Sequence, residues 1–296
     1  MTPTQCCATL GQCGTGKTSE TERLLRWAAD SLGGNAIIES VQALHDDQGP
    51  WLLRVAVRRR TEHFVLRSLT PRIDAEMIAT GAAALEVADS NSLPAPRLIA
   101  KDLAGTASGA PATLETFVVC STVWPRAISV SRLHTAGAAL AQVHAVPLTP
   151  RPDLPLRLRP IAVDDFAKDR RQGDMATTPL LQTADEWIRS ILQPQGHTVF
   201  LHGDVWPGNL AWIDNTHCIL IDWKSAGAGN PGVDLGELRK QVAIAYGLDQ
   251  IDAVTEGWQQ ATGRPATDIA YWDAVAALNT RTDLGPATPM RDAFLR

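Results

Sequence analysis

Residues 200–222 read FLHGDVWPGNLAWIDNTHCILID, and the fold is decided there. Two carboxylates and one carboxamide stand out: Asp204, Asn209 and Asp222. Asn209 lies five residues after Asp204, and Asp222 thirteen after Asn209. Asp204 follows a short apolar run, Thr198–Leu201, through His202-Gly203, so a strand end presents its side chain. Asp222 closes a second apolar run, Cys218–Ile221. If these two runs pair as a hairpin, the three polar groups meet at one place.

That combination has a definite chemical use. Transfer of a phosphoryl group from ATP needs one carboxylate to position an acceptor hydroxyl and receive its proton. It also needs a carboxamide and a second carboxylate to hold Mg²⁺, which prefers hard oxygen ligands. The metal neutralises charge on the transferring phosphates. The pattern D-x-x-x-x-N, followed by an apolar strand ending in Asp, is the kinase arrangement of catalytic and metal loops.

Working outward, the chain before this stretch alternates helix and strand signals. Ser19–Leu32 is helical, with Leu24, Leu25, Ala28 and Leu32 on one face, and Gly33-Gly34 stops it. Three strand-like runs follow, Ala36–Leu44, Trp51–Arg58 and Phe64–Leu69, the first two separated by the turn 45–50. A helix over Ile73–Ala88 and two strands, Arg97–Lys101 and Leu114–Cys120, complete a five-stranded antiparallel sheet. Beyond it, helices are expected over Ser131–Val146, Thr183–Leu192, Leu235–Tyr246, Ile251–Ala261 and Asp268–Asn279. Trp187, Ile188 and Ile191 are the expected core face of the second of these. Pro147, Pro150, Pro152, Pro155 and Pro160 force an extended segment between the first two, read as an excursion or mobile stretch.

The 296 residues are enough for two domains, and 45% hydrophobic with 20% charged residues excludes a disordered chain. The net charge is 27 − 32 = −5, which argues against a nucleic-acid partner. Cys6, Cys7, Cys13, Cys120 and Cys218 make no CxxC pair and no framework, and read as reduced thiols. With no signal-peptide pattern and no apolar run of about 18 residues, the expectation is a cytoplasmic protein without a membrane partner.

His202-Gly203-Asp204-Val205-Trp206-Pro207-Gly208-Asn209, followed by Ile221-Asp222-Trp223, resembles the aminoglycoside phosphotransferase/choline kinase-like family. Gly232-Val233-Asp234-Leu235 and Leu140-Ala141-Gln142-Val143-His144 resemble two further motifs of that family. The resemblance extends over about residues 20–280. It implies a two-lobed, protein-kinase-like α+β fold, with a small N-lobe built on the five-stranded antiparallel sheet and a mainly helical C-lobe. Residues 1–18 would be a flexible arm, 19–122 the nucleotide-binding N-lobe and 123–296 the C-lobe. ATP and Mg²⁺ are the implied cofactors, and a small molecule bearing a hydroxyl, such as an aminoglycoside, amino-sugar, sugar or amino alcohol, is the implied substrate.

Carried over residue by residue, the resemblance makes Asp204 the catalytic base and Asn209 and Asp222 the metal ligands. His202 would orient the loop, and Asp234 would accept hydrogen bonds from its backbone. Arg67 would face the phosphates, and Cys120-Ser121-Thr122 would be the hinge that holds adenine. Four departures are visible. The cation is Arg rather than Lys, and it also reads as an exposed strand arginine. The turn 45–50 has only Gly49. No helix glutamate matches the partner of the cation, because Gly81 occupies that place with Glu76 and Glu86 a turn to either side. Lys224 stands where an acidic residue is often found. Two other readings stay open: a non-catalytic binding module of the same fold, and a P-loop NTPase, because Gly11–Thr18 fits G-x-x-x-x-G-K-[ST] with Lys17 as its lysine. The acids Asp249, Asp252, Glu256, Asp268 and Asp273 read either as an acidic cleft for a cationic acceptor or as a solvated helix face.

Overall fold

A computed structural model describes residues 19–296 except 34, 45–48, 162–163, 195 and 215. The P-loop-like motif Gly11–Thr18 lies outside the described residues. The first element is helix α1 (Glu20–Leu32), started by a capping box: Glu22 N–H donates to Ser19 Oγ while Ser19 N–H donates to Glu22. Strands β1 (Ile37–Ala43), β2 (Trp51–Val57) and β3 (Arg60–Ser68) form an antiparallel meander. Helix α2 (Ala75–Ser90) and strands β4 (Leu98–Asp102) and β5 (Ala112–Thr116) follow, and the sheet order is β1-β2-β3-β5-β4. The expected α+β architecture is therefore present: a five-stranded antiparallel sheet, then a mostly helical region.

Period-2 alternation gives this sheet two different faces. Leu53, Val55, Phe64, Leu66 and Leu114 point at α1, where they bury Ala28 in one apolar cluster. Arg67 and Glu115 point the other way, toward the rest of the chain. The β2–β3 connection is two residues long, and both Arg58 (φ 47°) and Arg59 (φ 68°) are left-handed. Such a turn favours Asn-Gly. Replacing Arg58-Arg59 by Asn-Gly is expected to stabilise the chain by about 1 kcal/mol, seen as a rise in Tm of about 3 °C; a lower Tm would contradict the assignment of this turn.

The helical region comprises α3 (Val130–His144), α4 (Phe166–Gln172), α5 (Pro179–Ser190), α6 (Gly232–Tyr246), α7 (Asp252–Thr262), α8 (Ile269–Leu278) and α9 (Thr288–Phe294). Its core runs from Leu133 and Leu140 of α3 through Phe200, Leu210, Trp212 and Trp223 to Leu238 of α6 and Val254 of α7. Helices α3 and α7 cross closely because Gly137 and Gly257 each lie against the other helix's backbone; a Cβ on Gly137 would sit 2.1 Å from the Val254 carbonyl oxygen, and one on Gly257 2.2 Å from that of His134.

Three sequence expectations are corrected here. The two apolar runs do not pair with each other. β7 (Val199–Leu201) pairs with β10 (Gly227–Gly229), and β9 (Cys218–Leu220) pairs with β8 (Leu210–Trp212). Only five residues separate Leu210–Trp212 from β9, against sixteen between β7 and β9, so Leu210–Trp212 is the nearer partner and closes the shorter loop. The proline-rich segment is not an excursion: Leu154 is fully buried, and β6 (Leu156–Arg157) pairs in parallel with β10. In α5 the buried residues are Leu181 and Asp185, whereas Trp187 and Ile191 are exposed, because the helix starts at Pro179 and presents a different face.

Candidate active site

Although the strands pair differently, the three polar groups still converge. Asp204 follows β7, which pairs with β10, while Asn209 and Asp222 flank the β8–β9 hairpin. Asp204 follows Gly203, whose φ of 80° and lack of a Cβ are both required: a Cβ there would lie 2.1 Å from the Ser225 carbonyl oxygen. Asn209 sits in the turn at Pro207–Asn209, where its Nδ2 donates to the Asp204 carbonyl at 2.9 Å. That bond fixes the carboxamide orientation and leaves Oδ1 as the free oxygen. Its own carbonyl accepts from Ile221 N–H at 3.0 Å, which ties the two loops together.

His202 is fully buried and makes the same connection from beneath. Its Nε2 donates to the Ile221 carbonyl at 2.9 Å and its Nδ1 accepts from Asp204 N–H at 3.3 Å, which defines a neutral imidazole. Trp223 closes the layer, stacked on Phe200 at 5.1 Å and edge-on to His202 at 4.7 Å. Asp234, on the first turn of α6, is fully buried and accepts from His202 N–H and Gly203 N–H, both at 2.8 Å. His144 Nε2 donates to the same carboxylate at 3.1 Å, and Trp258 Nε1 donates to His144 Nδ1 at 3.0 Å. Burial alone would raise the Asp234 carboxyl, but the hydrogen bond from His144, with those from the loop N–H groups, holds it below the usual carboxylate value.

Asp222 has left-handed backbone (φ 66°, ψ 63°), an uncommon conformation for a residue with a side chain and one concentrated at functional sites. Arg67 Nη1 donates to its Oδ1 at 2.8 Å, and Lys224 Nζ contacts its Oδ2. Burial would raise this carboxyl, yet Arg67 and Lys224 hold it well below the ordinary range. Lys224 also reaches Asp204 Oδ2 at 3.4 Å. Burial pushes the Asp204 carboxyl above its ordinary value, with Lys224 pulling against it.

Arg67 leans across from β3 and is not an exposed strand arginine: its side chain is 14% exposed. Its Nε donates to Glu115 Oε1 at 2.8 Å, so it is clamped between Glu115 and Asp222. Desolvation opposes its charge, but these two carboxylates hold it protonated. The missing helix glutamate is thereby accounted for. Glu86 pairs with Lys101, and Glu76 is exposed. At Gly81 helix α2 passes the Lys224 backbone, a Cβ there lying at van der Waals distance, 3.9 Å. Glu115, which the sequence reading missed, takes the role from β5. Strand pairing of Val65 with Glu115 puts it diagonal to Arg67 on the same face.

The expected hinge is altered in detail. β5 stops at Thr116, four residues earlier than the apolar run suggests, so the connection to the helical region begins at Phe117. Ser121 N–H and C=O are both paired with Trp212 at 2.9 Å, so this part of the connection is tied to β8. Cys120 and Cys218 are free thiols, and burial pushes the Cys218 thiol up to about 12. Of the acids singled out in the C-terminal helices, Asp249 and Asp268 are exposed and the other three are ion-paired. Arg239 holds Asp252 at 3.0 Å and Asp273 at 3.0 Å between α6, α7 and α8, and Glu256 pairs with His134 at 3.1 Å. No helix among the described residues is long and apolar enough to cross a membrane.

The groups here that could hold a metal are Asn209 Oδ1 and the Asp222 carboxylate. Both are hard oxygens, they suit Mg²⁺, and nucleotide phosphates and water would complete its shell. Among the described residues no three His, Cys, Asp or Glu side chains converge into a metal cluster.

A sheet that sends an ion-paired arginine onto an aspartate, opposite an Asp-x-x-x-x-Asn loop, defines the protein-kinase-like class. Within it, the chain belongs to the phosphotransferase enzyme family known as APH, whose model matches residues 40–278. Solved structures agree in fold. A candidate aminoglycoside phosphotransferase from Ralstonia eutropha JMP134 is 16% identical, with a TM-score of 0.64 over 93% of this chain and 97% of that one. The macrolide 2'-phosphotransferase MphH from Brachybacterium faecium is 17% identical, with a TM-score of 0.61 over 86% and 88%. The aminoglycoside phosphotransferase APH(3'')-Id from Streptomyces rimosus, solved with ADP and streptomycin, is 17% identical, with a TM-score of 0.55 over 90% and 96%. Curated protein sequences offer no match to this chain.

Proposed function

We propose that this chain is an ATP-dependent kinase that phosphorylates a hydroxyl group of a small molecule. The observation that carries the reading is the convergence of Asp204, Asn209 and Asp222, with Arg67 reaching Asp222 at 2.8 Å from the opposing sheet. ATP would lie between an N-lobe of residues 19–122 and a C-lobe of residues 123–296, with adenine near Cys120 and Thr122. Asp204 orients the acceptor hydroxyl and takes its proton. Burial, by raising its carboxyl, makes it a stronger base than an exposed aspartate. Arg67, kept charged by Glu115 and Asp222, presents a fixed cation toward the phosphates. Asn209 and Asp222 would hold Mg²⁺, which when bound offsets charge on the phosphate oxygens. His202 and Asp234 keep the loop in shape.

The acceptor class stays broad: amino-sugars, sugars, amino alcohols and macrolides. Asp252, Asp273 and Glu256 are ion-paired, and Asp249 and Asp268 are solvated, so the helix acids supply no argument for a cationic one. A panel of hydroxyl substrates scored by ADP release, with Asp204→Ala as control, tests the reading. Release that depends on both an acceptor and Asp204 supports it. Release equal in the two proteins refutes the mechanism. A non-catalytic nucleotide-binding role is the second reading, favoured by Lys224 standing between the two carboxylates. Its signature is a thermal shift with ATP·Mg²⁺ and no turnover on the panel.

A further inference from the structure

Among the described residues, Lys224 is the one cation that touches both carboxylates of the site. Its Nζ contacts Asp222 Oδ2 and reaches Asp204 Oδ2 at 3.4 Å. With Arg67 on Oδ1, both oxygens of Asp222 are engaged by positive charge. Lys224 is not a loose surface lysine: its side chain is 23% exposed. Its backbone is held in the short turn Trp223–Ser225, with Trp223 buried against Phe200 on one side and Gly81 of α2 on the other. The geometry of the backbone therefore delivers the ammonium to the gap between Asp204 and Asp222.

The charge balance is unusual for a site meant to take up a divalent cation. Asp204, Asp222 and Glu115 carry three negative charges, Arg67 and Lys224 two positive ones, so the cluster has a net charge of −1 (2 − 3). An acidic residue at this position would make it −3.

We infer that Lys224 is a built-in counter-ion that competes with the divalent metal for Asp222, bridging the two carboxylates when no metal is bound and setting a weak metal affinity when nucleotide arrives. The inference rests on the reading that Asn209 and Asp222 hold the metal. A metal entering with nucleotide gains Asp222 Oδ2 only by displacing the ammonium. Removing the ammonium therefore improves metal binding even if it harms turnover, and this separates competition from a merely structural role.

The test is a titration of Mn²⁺ into the full chain with ADP, followed by the electron paramagnetic resonance signal of free Mn²⁺. Lys224→Met and Lys224→Gln are expected to tighten the Mn²⁺ Kd about tenfold or more, the scale of one nearby unit charge in a partly solvated site. Lys224→Arg, which keeps the charge, is expected to stay near wild type. Thermal melts of both neutral variants identify any that fails to fold, and the other then carries the comparison. Equal Mn²⁺ affinity in all four proteins would overturn the counter-ion role and leave the kinase reading standing. ADP binding without Mn²⁺ uptake in any of them would overturn both the counter-ion role and the metal-ligand assignment.

Discussion

Asp204→Asn is expected to lower kcat by about 10³-fold, within the range removed with a general base, while the Tm and the Kd for ADP stay close to wild type. The substitution is isosteric and keeps an oxygen for Lys224, the single side-chain partner of the Asp204 carboxylate among the described residues. The backbone bonds that shape the loop belong to other atoms: Asn209 Nδ2 on the Asp204 carbonyl and Asp204 N–H on His202. Nothing in the fold therefore depends on the Asp204 carboxylate, and its loss falls on the chemical step. A change confined to kcat, with KM for the acceptor unaltered, is the signature of an interaction made in the transition state. Steady-state kinetics with the best substrate of the panel, together with thermal melts, checks both halves. A variant retaining more than about a tenth of wild-type kcat would remove Asp204 as the base.

What the sequence disclosed, and what it hid, follows from how far each interaction reaches. The spacing of Asp204, Asn209 and Asp222 was legible because one continuous stretch supplies all three. The sheet was legible because alternation such as Leu53, Val55 and Val57 is a local pattern. The partner of Arg67 was not, because Glu115 lies 48 residues away and reaches it only through the register of β3 with β5. Composition gives no hint of that register. The hairpin was mispaired because Leu210–Trp212 is too short a run to stand out beside Thr198–Leu201, although proximity makes it the better partner of β9. Helix α9 was missed for a related reason. Its anchor is not an apolar stripe but Arg291, buried completely and donating to Thr280 Oγ1 and to the carbonyls of Arg281 and Thr282. Lys224 was visible as a departure, yet only the structure shows that its ammonium falls between the two carboxylates.

Asp234→Ala should be the most destabilising change at the site, and its effect should depend on pH in a defined direction. The carboxylate accepts from His202 N–H, Gly203 N–H and His144 Nε2, and all of these are buried. Deleting it strands donors that water cannot reach, a loss of about 3–5 kcal/mol by comparison with other one-sided deletions of buried charged partners. For a chain of this size that corresponds to a fall in Tm of about 10 °C. Asn should cost less than Ala but still destabilise, since one carboxylate oxygen becomes an NH₂ group that faces a donor. Turnover should fall as well, because the left-handed turn at Gly203 that presents Asp204 is held by this carboxylate. The sign of the pH dependence comes from the depressed carboxyl. Its stabilisation is complete above the unfolded-state value of about 4 and is lost as pH falls through the lower folded-state value. The wild-type protein should therefore keep its full margin over Asp234→Ala from about pH 8 to about pH 5, and that margin should shrink below about pH 4. Thermal melts of both proteins across this range measure it. A margin constant down to about pH 3 would mean that the ionised carboxylate is not what holds the loop.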